Sequence, residues 1–316
     1  MTTSPQSVSS RPRIVPTGDH PVGRRRMSRE RIGQLFVLPT VLFLLAFAII
    51  PAVANFTLSF FDWSPLRPAF EFVGIDNYIT VLQSKSFLSA LGNTVIYAIV
   101  TVPVSIGLAL MVAAGIMGRL RGAGALKAIY FMPTAAMLVG MAVVWQFILD
   151  PRVGLLNEFL SWFGIPPSGW LLNSSTALPS IIAFGIWRQT GYMMILFLAG
   201  LAAIPRTVYE AGALDGLHGF RRFRHITWPM LAPTTTFAGI IGTIAAVELF
   251  DAPKVMTNGG PAGSTTTLAM MIQQEGFFYS SFGTGAVVSL VLFILTLAIT
   301  AAQWMISRRS PMSGPQ

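Results

Sequence analysis

Six apolar stretches dominate this sequence, and each is long enough to cross a lipid bilayer. A membrane-spanning helix needs about 20 mostly apolar residues to cross about 30 Å of hydrocarbon. Stretches of this kind run over residues 35–61, 88–117, 126–149, 178–204, 231–250 and 282–306. Several contain prolines, which membrane helices tolerate because neighbouring helices satisfy the carbonyls that proline leaves free. We therefore predict an all-α integral membrane protein with six transmembrane helices.

The small number of charged residues excludes a water-soluble protein. Only 10% of the residues are charged, whereas 53% are hydrophobic. This amount of charge cannot cover the surface of a soluble chain of 316 residues, so most of the exterior has to face lipid.

The distribution of the basic residues predicts the orientation in the membrane. A net charge of +9 would indicate nucleic-acid binding only if it lay on one soluble face. With a cytoplasmic N-terminus, sixteen Lys and Arg residues lie inside and four lie outside, while Arg188 falls within the fourth span. Short loops rich in Lys and Arg stay cytoplasmic. We therefore expect both termini to be cytoplasmic and no nucleic-acid partner.

The two ends of the chain are predicted to be tails around a single membrane domain. Residues 1–31 are rich in Ser, Pro and Arg and lack an apolar stretch that could pack a domain, which predicts a disordered basic cytoplasmic tail. Residues 32–308 form the transmembrane domain, and residues 309–316 form a short cytoplasmic tail. Basic residues beside a bilayer also attract anionic lipid, so membrane lipid is an expected partner.

The sequence carries no motif for catalysis or cofactor binding. Each of its three lysines, Lys85, Lys127 and Lys254, lacks the preceding glycine that a phosphate-binding Gly-Lys-Ser/Thr loop requires. There is no cysteine, no H-x-x-x-H pair and no G-x-S-x-G elbow. We expect no catalytic residue, metal or cofactor in this chain, so any ATP would be hydrolysed by a partner. The loops outside are too short to form a solute-capturing domain, which would also be a partner.

The cytoplasmic loop between the fourth and fifth spans has the pattern of two short helices joined by glycines. Residues 209–215 are compatible with a helix, and Gly216 can adopt the positive φ that ends one. Phe220, Phe223 and Ile226 follow at spacings of three, which predicts an apolar stripe on a second helix. Such a helix at the membrane surface is suited to docking against another protein.

This loop resembles the signature E-A-A-x-x-D-G-A…F-x-x-I-x-L-P of binding-protein-dependent ABC importer permeases. It reads E-A-G-A-L-D-G, followed by F-R-R-F-R-H-I-T-W-P. Gly212 stands where Ala is usual, Leu217 where Ala is common and Trp228 where Leu is common. The resemblance implies that residues 206–229 are a coupling loop held by an ATPase subunit. The implied coupling residues are Glu210, Ala211, Gly212, Asp215, Gly216, Phe220, Phe223, Ile226 and Pro229.

A second block resembles the sugar-type permeases of maltose and glycerol-3-phosphate uptake. Residues 257–268 read T-N-G-G-P-A-G-S-T-T-T-L, where that group has T-x-G-G-P-x-x-S-T-x-T-L. F-V-G-I-D-N-Y at 72–78 and W-R-Q-T-G-Y-M at 187–193 also fit, so the resemblance covers residues 32–308. Gly259, Gly260 and Pro261 form a turn signal, and the Ser/Thr run supplies hydroxyls near the outer mouth. This outer-loop motif either shapes a loop or contacts the solute.

Polar side chains within the spans are candidates for a solute pathway. Arg188 lies about ten residues into the fourth span, about 15 Å deep at 1.5 Å per residue. A charge there costs a few kcal/mol unless it lines water or finds a partner. Glu248 is the nearest acid by type, and we favour cavity lining over a fixed ion pair. Amides and carboxylates can hydrogen-bond a polyhydroxylated solute, and tryptophans can stack on a sugar face. The candidates are Trp145, Gln146, Trp187, Arg188, Gln189, Tyr192, Glu248 and Asp251.

The resemblance implies a MetI-like permease fold, alternating access driven by a partner ATPase, and a multi-pass protein of the bacterial plasma membrane. It also implies a second permease subunit that is related but different, two ATPases that bind ATP and Mg²⁺, and an extracytoplasmic solute-binding protein. The expected solute is a sugar, a sugar-like compound or glycerol-3-phosphate. An ion-coupled secondary transporter is the alternative, although it would need acidic relays within the spans. A membrane receptor or scaffold would not need the docking loop.

Overall fold

The computed structural model describes residues 29–66, 70–117 and 123–308, and these are predominantly helical. The first helix begins at Arg29, within the predicted tail 1–31. The rest of that tail and the predicted tail 309–316 lie outside the described residues.

The N-terminal unit of the chain ends at Ala52, and its described residues, 29–52, are helical. Helix α1 (Arg29–Leu44) continues through a π-helical turn (Leu45–Ile49) into α2 (Ile50–Leu58). Pro51 is the second residue of α2, two positions after the end of this turn. Proline lacks the N–H that would bond to the carbonyl four residues earlier, which is a recognised cause of local irregularity in a helix.

The second unit begins at Val53 and carries a small hairpin directly after α2. Strand β1 (Phe61–Trp63) pairs antiparallel with β2 (Phe70–Phe72). Aromatic residues alternate with acids in both strands, and the rings of Phe61 and Phe70 stack with centroids 4.3 Å apart. Cross-strand aromatic pairs stabilise such ribbons. The described residues are predominantly helical, as predicted, and this short aromatic hairpin after α2 is an addition that the sequence analysis does not anticipate.

The remainder of the second unit is helical. Its longest helices cover residues 85–117, 174–202 and 282–308. The helices are α3 (Asp76–Gln83), α4 (Lys85–Met117), α5 (Ala123–Ala135), α6 (Leu138–Ile148), α7 (Leu155–Ser161), α8 (Ser174–Ala202), α9 (Arg206–Leu214), α10 (Gly219–Arg222), α11 (Trp228–Met230), α12 (Ala232–Val247), α13 (Asp251–Met256), α14 (Leu268–Gln273) and α15 (Phe282–Arg308), with π-helical turns at Phe223–Thr227 and Gln274–Phe278.

Five helical segments in the described part of the chain are long and apolar enough to cross a membrane. The predicted third span, 126–149, is instead broken into α5 and α6, which meet at an angle of 104°. Met137 between them has an extended backbone, and Pro133 lies in the last turn of α5. The six-span prediction therefore holds if this bent pair counts as one span.

The core of the second unit is formed where α4 packs along α8, with α12 packed against both. On α8 the buried residues include Phe184, Met193 and Phe197, while α4 contributes the small residues Ala109 and Ala113. Small residues allow close approach of helices in a membrane. Helix α5 packs on α8, and α15 packs on α12, so α8 lies at the centre of the helices that form the candidate site.

Candidate functional site

The coupling loop (residues 206–229) contains the predicted helix, turn and second helix, and a defined cap ends the first helix. The N–H of Gly216 donates to the carbonyl of Ala213 at 3.1 Å, and that of Leu217 donates to the carbonyl of Gly212 at 2.8 Å. Gly216 has φ +75°. These two bonds and the left-handed glycine form a Schellman cap. The chain therefore changes direction at Gly216 through a left-handed backbone conformation, which glycine adopts without a steric penalty.

Two buried residues form a contact between the two arms of the coupling loop, which are α9 before Gly216 and the helical segment after it. Gly212 is buried on α9, and Ile226 is buried in the π-helical turn. A Cβ added at Gly212 would meet Cδ1 of Ile226. The departure from the usual Ala at this position therefore has a steric reason, because the isoleucine fills the space that an alanine methyl would occupy.

Tyr209 makes a second, polar connection between the same two arms. Its hydroxyl lies 3.3 Å from the hydroxyl of Thr227. The guanidinium of Arg222 lies 5.5 Å from the centre of the Tyr209 ring, within the range of a cation–π contact. Together with the Gly212–Ile226 contact, these interactions hold α9 against the second helical segment.

The outer surface of the coupling loop carries most of the implied coupling residues. Glu210, Ala211, Asp215 and Gly216 are exposed. Phe220 is 74% exposed, and Leu214 is 91% exposed at the end of α9. Leu214 is absent from the sequence-based candidates, although an apolar residue two positions before a helix-ending glycine was a usable signal.

Phe220, Phe223 and Ile226 do not form the single exposed stripe predicted for the second helix. Phe220 is exposed and Phe223 is half-buried, whereas Ile226 is buried. The helix changes from α to π at Phe223, which alters the number of residues per turn and so the direction of later side chains. Pro229, beyond the π-helical turn, is half-buried.

A cavity of about 340 Å³, here called the α8 cavity, lies within the spans. Helix α8 provides Phe184, Gly185, Arg188, Gln189 and Tyr192, whose spacing places them on one helix face. The volume is at the lower end of the range for small-molecule sites.

Two helix breaks border the α8 cavity. Thr134 and Leu138 line it on either side of the break between α5 and α6. Glu248 and Asp251 line it at the turn between α12 and α13. Interrupted helices occur at membrane depth where the freed backbone lines a cavity, and transporters bind their solutes at such places. The turn after Val247 also explains why Glu248 reaches the same cavity as Arg188, although the sequence predicts different depths for them.

Arg188 provides an unused hydrogen-bond donor at the cavity wall. Its Nε atom is buried and has no hydrogen-bond partner among the residues that the structure describes. Within that same part of the chain, no carboxylate forms an ion pair with Arg188. Part of the hydrogen-bonding capacity of Gln189 is already used, because its Nε2 donates to the carbonyl of Gly242 at 3.1 Å.

Three of the predicted pathway residues lie outside the α8 cavity lining. Gln146 donates through Nε2 to the carbonyls of Val255 and Met256, at 2.9 and 3.1 Å, and so holds the end of α13. The rings of Trp145 and Trp187 are 5.5 Å apart and pack with Phe184 rather than face the opening. Direct solute contact by these three residues stays a prediction.

The α8 cavity is also lined by residues outside the predicted set, among them Tyr97, Thr134 and Phe184. Tyr97 is a polar aromatic residue inside an otherwise apolar span, which was a usable signal. Phe184 is not distinguishable in the sequence from the other apolar residues of α8.

The hydroxyls of the outer-loop motif are used to close that loop. Thr265 donates to the carbonyl of Gly260 at 2.9 Å, and Thr266 donates to that of Gly259 at 3.1 Å. Asn93 of α4 donates to the carbonyl of Thr266 at 2.9 Å. The peptide bond between Gly260 and Pro261 is cis. Of the two interpretations of this motif, the geometry favours loop shaping over solute contact.

The comparisons with known proteins agree with this arrangement. Residues 78–310 match the family described as "Binding-protein-dependent transport system inner membrane component". The trehalose/maltose transport system permease protein MalF of Thermococcus litoralis is 34% identical over 278 residues, covering 88% of this chain and 94% of that protein. The sn-glycerol-3-phosphate permease UgpA of Agrobacterium fabrum is 34% identical over 276 residues, covering 86% and 93%. The lactose permease LacF of Rhizobium radiobacter is 35% identical over 284 residues, covering 87% and 94%.

Solved structures share the fold. A bacterial ABC transporter involved in the import of the acidic polysaccharide alginate matches with a TM-score of 0.76 and 23% identity, covering 90% of this chain and 97% of that one. The MetNI methionine ABC transporter matches with a TM-score of 0.53 and 16% identity, covering 74% and 98%. These matches confirm the predicted MetI-like fold of an integral membrane permease. The chain belongs to the family of binding-protein-dependent transport system inner membrane components.

Proposed function

We propose that this chain is the permease subunit of an ATP-driven importer that moves a sugar or sugar-like solute by alternating access. The observation that carries the proposal is the position of the coupling loop. It follows α8, which carries Arg188, and leads through α11 into α12, which ends beside Glu248. A displacement of the coupling loop therefore acts on α8 and α12, two of the helices that line the α8 cavity.

The proposed partners follow from the exposed residues of the coupling loop, from the open side of the α8 cavity and from the complex in which a protein of the same fold has been solved. Two ATPase subunits that bind ATP and Mg²⁺ would hold the exposed residues Leu214 and Phe220. A second, related permease subunit would complete the α8 cavity, where Glu248 and Asp251 are exposed in the single chain. A solute-binding protein would deliver the solute from outside. An alginate transporter with this fold has been solved in complex with an alginate pentasaccharide-bound periplasmic protein, which supports this last partner.

The names of the relatives support a carbohydrate or glycerol-3-phosphate as the solute. They include permeases for trehalose and maltose, for sn-glycerol-3-phosphate and for lactose. The α8 cavity offers both hydrogen-bond donors and acceptors together with aromatic faces, a combination that suits polyhydroxylated solutes.

Uptake into proteoliposomes tests the energy source. The chain is reconstituted with its second permease and its ATPases, in the presence of the solute-binding protein, and supplied in turn with radiolabelled maltose, trehalose, lactose and sn-glycerol 3-phosphate. We expect accumulation of at least one of these only when ATP and Mg²⁺ reach the ATPase, and none with a non-hydrolysable analogue. The matched control omits the ATPase subunits and imposes a proton or sodium gradient. Uptake that follows the gradient without ATPase would instead establish the ion-coupled alternative.

A further inference from the structure

We infer that the α8 cavity selects an uncharged polyhydroxylated solute and rejects phosphate esters and carboxylates. This inference rests on the proposed function and narrows the solute from the broader group that the relatives transport. It depends on the charges, the hydrogen-bonding groups and the aromatic rings that line the cavity.

The charges of the lining are unbalanced in favour of the negative sign. Arg188 is the cation among the described lining residues, and Glu248 and Asp251 are the two anions. Their formal sum is one negative charge when all three are ionised. Glu248 and Asp251 are exposed in the single chain, and their repulsion of an anion strengthens where a second permease subunit encloses them. A solute with one or two negative charges therefore meets net repulsion, whereas an uncharged solute does not.

The hydrogen-bonding groups of the lining lead to the same class of solute. A sugar hydroxyl both donates and accepts, so it can use a guanidinium on one side and a carboxylate on the other. Glu248 and Asp251 only accept when ionised, and a phosphate dianion also only accepts. These carboxylates can therefore bond to a hydroxyl but not to a phosphate oxygen. Tyr97 and Tyr192 add hydroxyls that can act in either role.

Arg188 by itself would favour an anionic solute, but the two nearby carboxylates in the lining shift the preference to an uncharged one. Its Nε is buried without a partner among the described residues and has no open surface, whereas the part of the side chain that lines the cavity needs an acceptor from the ligand. A neutral hydroxyl oxygen meets this need without bringing a charge close to the two carboxylates. The exposed ring of Tyr192 and the half-buried ring of Phe250 supply apolar surface for the C–H faces of a sugar.

Ligand-observed NMR on the permease pair in lipid nanodiscs tests this selection without the solute-binding protein. The probes are maltose, trehalose and lactose as neutral sugars, and sn-glycerol 3-phosphate and glucuronate as anions. We expect saturation transfer to at least one neutral sugar and none to the two anions. Arg188→Ala should weaken sugar binding about tenfold or more, because a hydrogen bond from a charged group is lost.

Charge-removing variants separate selection by charge from selection by shape. The double variant Glu248→Gln, Asp251→Asn keeps the size of both side chains, and it should admit sn-glycerol 3-phosphate. The matched control is Glu158→Gln, which removes an exposed carboxylate on α7 outside the cavity and should leave the probe pattern unchanged.

Three results would overturn the inference. They are binding of either anion to the wild-type pair as tightly as a neutral sugar, continued rejection of both anions by the double variant, and no binding of any neutral sugar. The wild-type comparison does not depend on how a variant folds. Because ATP-driven uptake is measured separately, each of these results leaves the proposed energy source and subunit role intact.

Discussion

Replacing Gly216 with valine is expected to reduce ATP-driven uptake by about tenfold or more while the permease still enters the membrane. Gly216 has φ +75°, and left-handed backbone costs an ordinary residue roughly 1–2 kcal/mol, with a larger cost for a β-branched one. Valine would therefore open the cap that Gly216 and Leu217 close. The exposed Leu214 and Phe220 would then lose their fixed spacing. The measurement pairs solute uptake with the amount of ATPase that copurifies.

The matched control for this variant is Gly124→Val. Gly124 lies in α5, its φ is not positive, and a Cβ there would meet no atom within 4 Å. This variant should retain uptake and ATPase binding close to wild type. Full uptake in the Gly216→Val permease would show that the cap has no part in coupling.

Replacing Gly212 with alanine is expected to lower uptake several-fold, although alanine is usual at this position in the family. The added methyl would meet Cδ1 of Ile226. Because Cδ1 is the end of a flexible side chain, a rotation of Ile226 relieves part of the overlap, and the remaining cost is about 1 kcal/mol. The strain should separate α9 from the π-helical turn and lower the thermal unfolding midpoint of the assembled complex.

A second substitution distinguishes this contact from a general loss of stability. Ile226→Val removes the Cδ1 atom that the new methyl would meet, so the double variant Gly212→Ala, Ile226→Val should recover most of the uptake that Gly212→Ala loses. Such a recovery is a coupling energy between neighbouring residues. If the two substitutions instead lower uptake additively, the two residues do not pack as described.

Much of the fold was predictable because hydropathy over about 20 residues reports the solvent of a helix directly. The break between α5 and α6 was less predictable, since Pro133 is one of several prolines in spans and the others, such as Pro103 in α4, leave their helices continuous. The hairpin at Phe61 and Phe70 depends on pairing between two segments, which hydropathy along one segment does not report.

In the candidate site, too, the residues with a local chemical requirement were predictable and those that depend on tertiary packing were not. The position of Gly216 was predictable because a left-handed cap has a local chemical requirement. The burial of Ile226 was not, because it depends on the π-helical turn and on the missing methyl of Gly212. Arg188 was predictable as a cavity residue from the cost of a charge in a membrane. From the sequence alone, Gln146 and Trp187 could not be distinguished from Arg188 as cavity residues, because only the tertiary packing shows that their side chains contact other parts of the protein.

Site-directed cross-linking tests most directly whether a separate ATPase holds the coupling loop. The chain contains no cysteine, so Leu214→Cys and Phe220→Cys each introduce a single reactive thiol. Phe163→Cys is the control, because residue 163 is exposed but lies across α8 from the coupling loop. We predict that a short thiol cross-linker joins the first two variants, and not the third, to the copurified ATPase, and that ATP changes the yield. Cross-linking at residue 163 but at neither 214 nor 220 would contradict the claim.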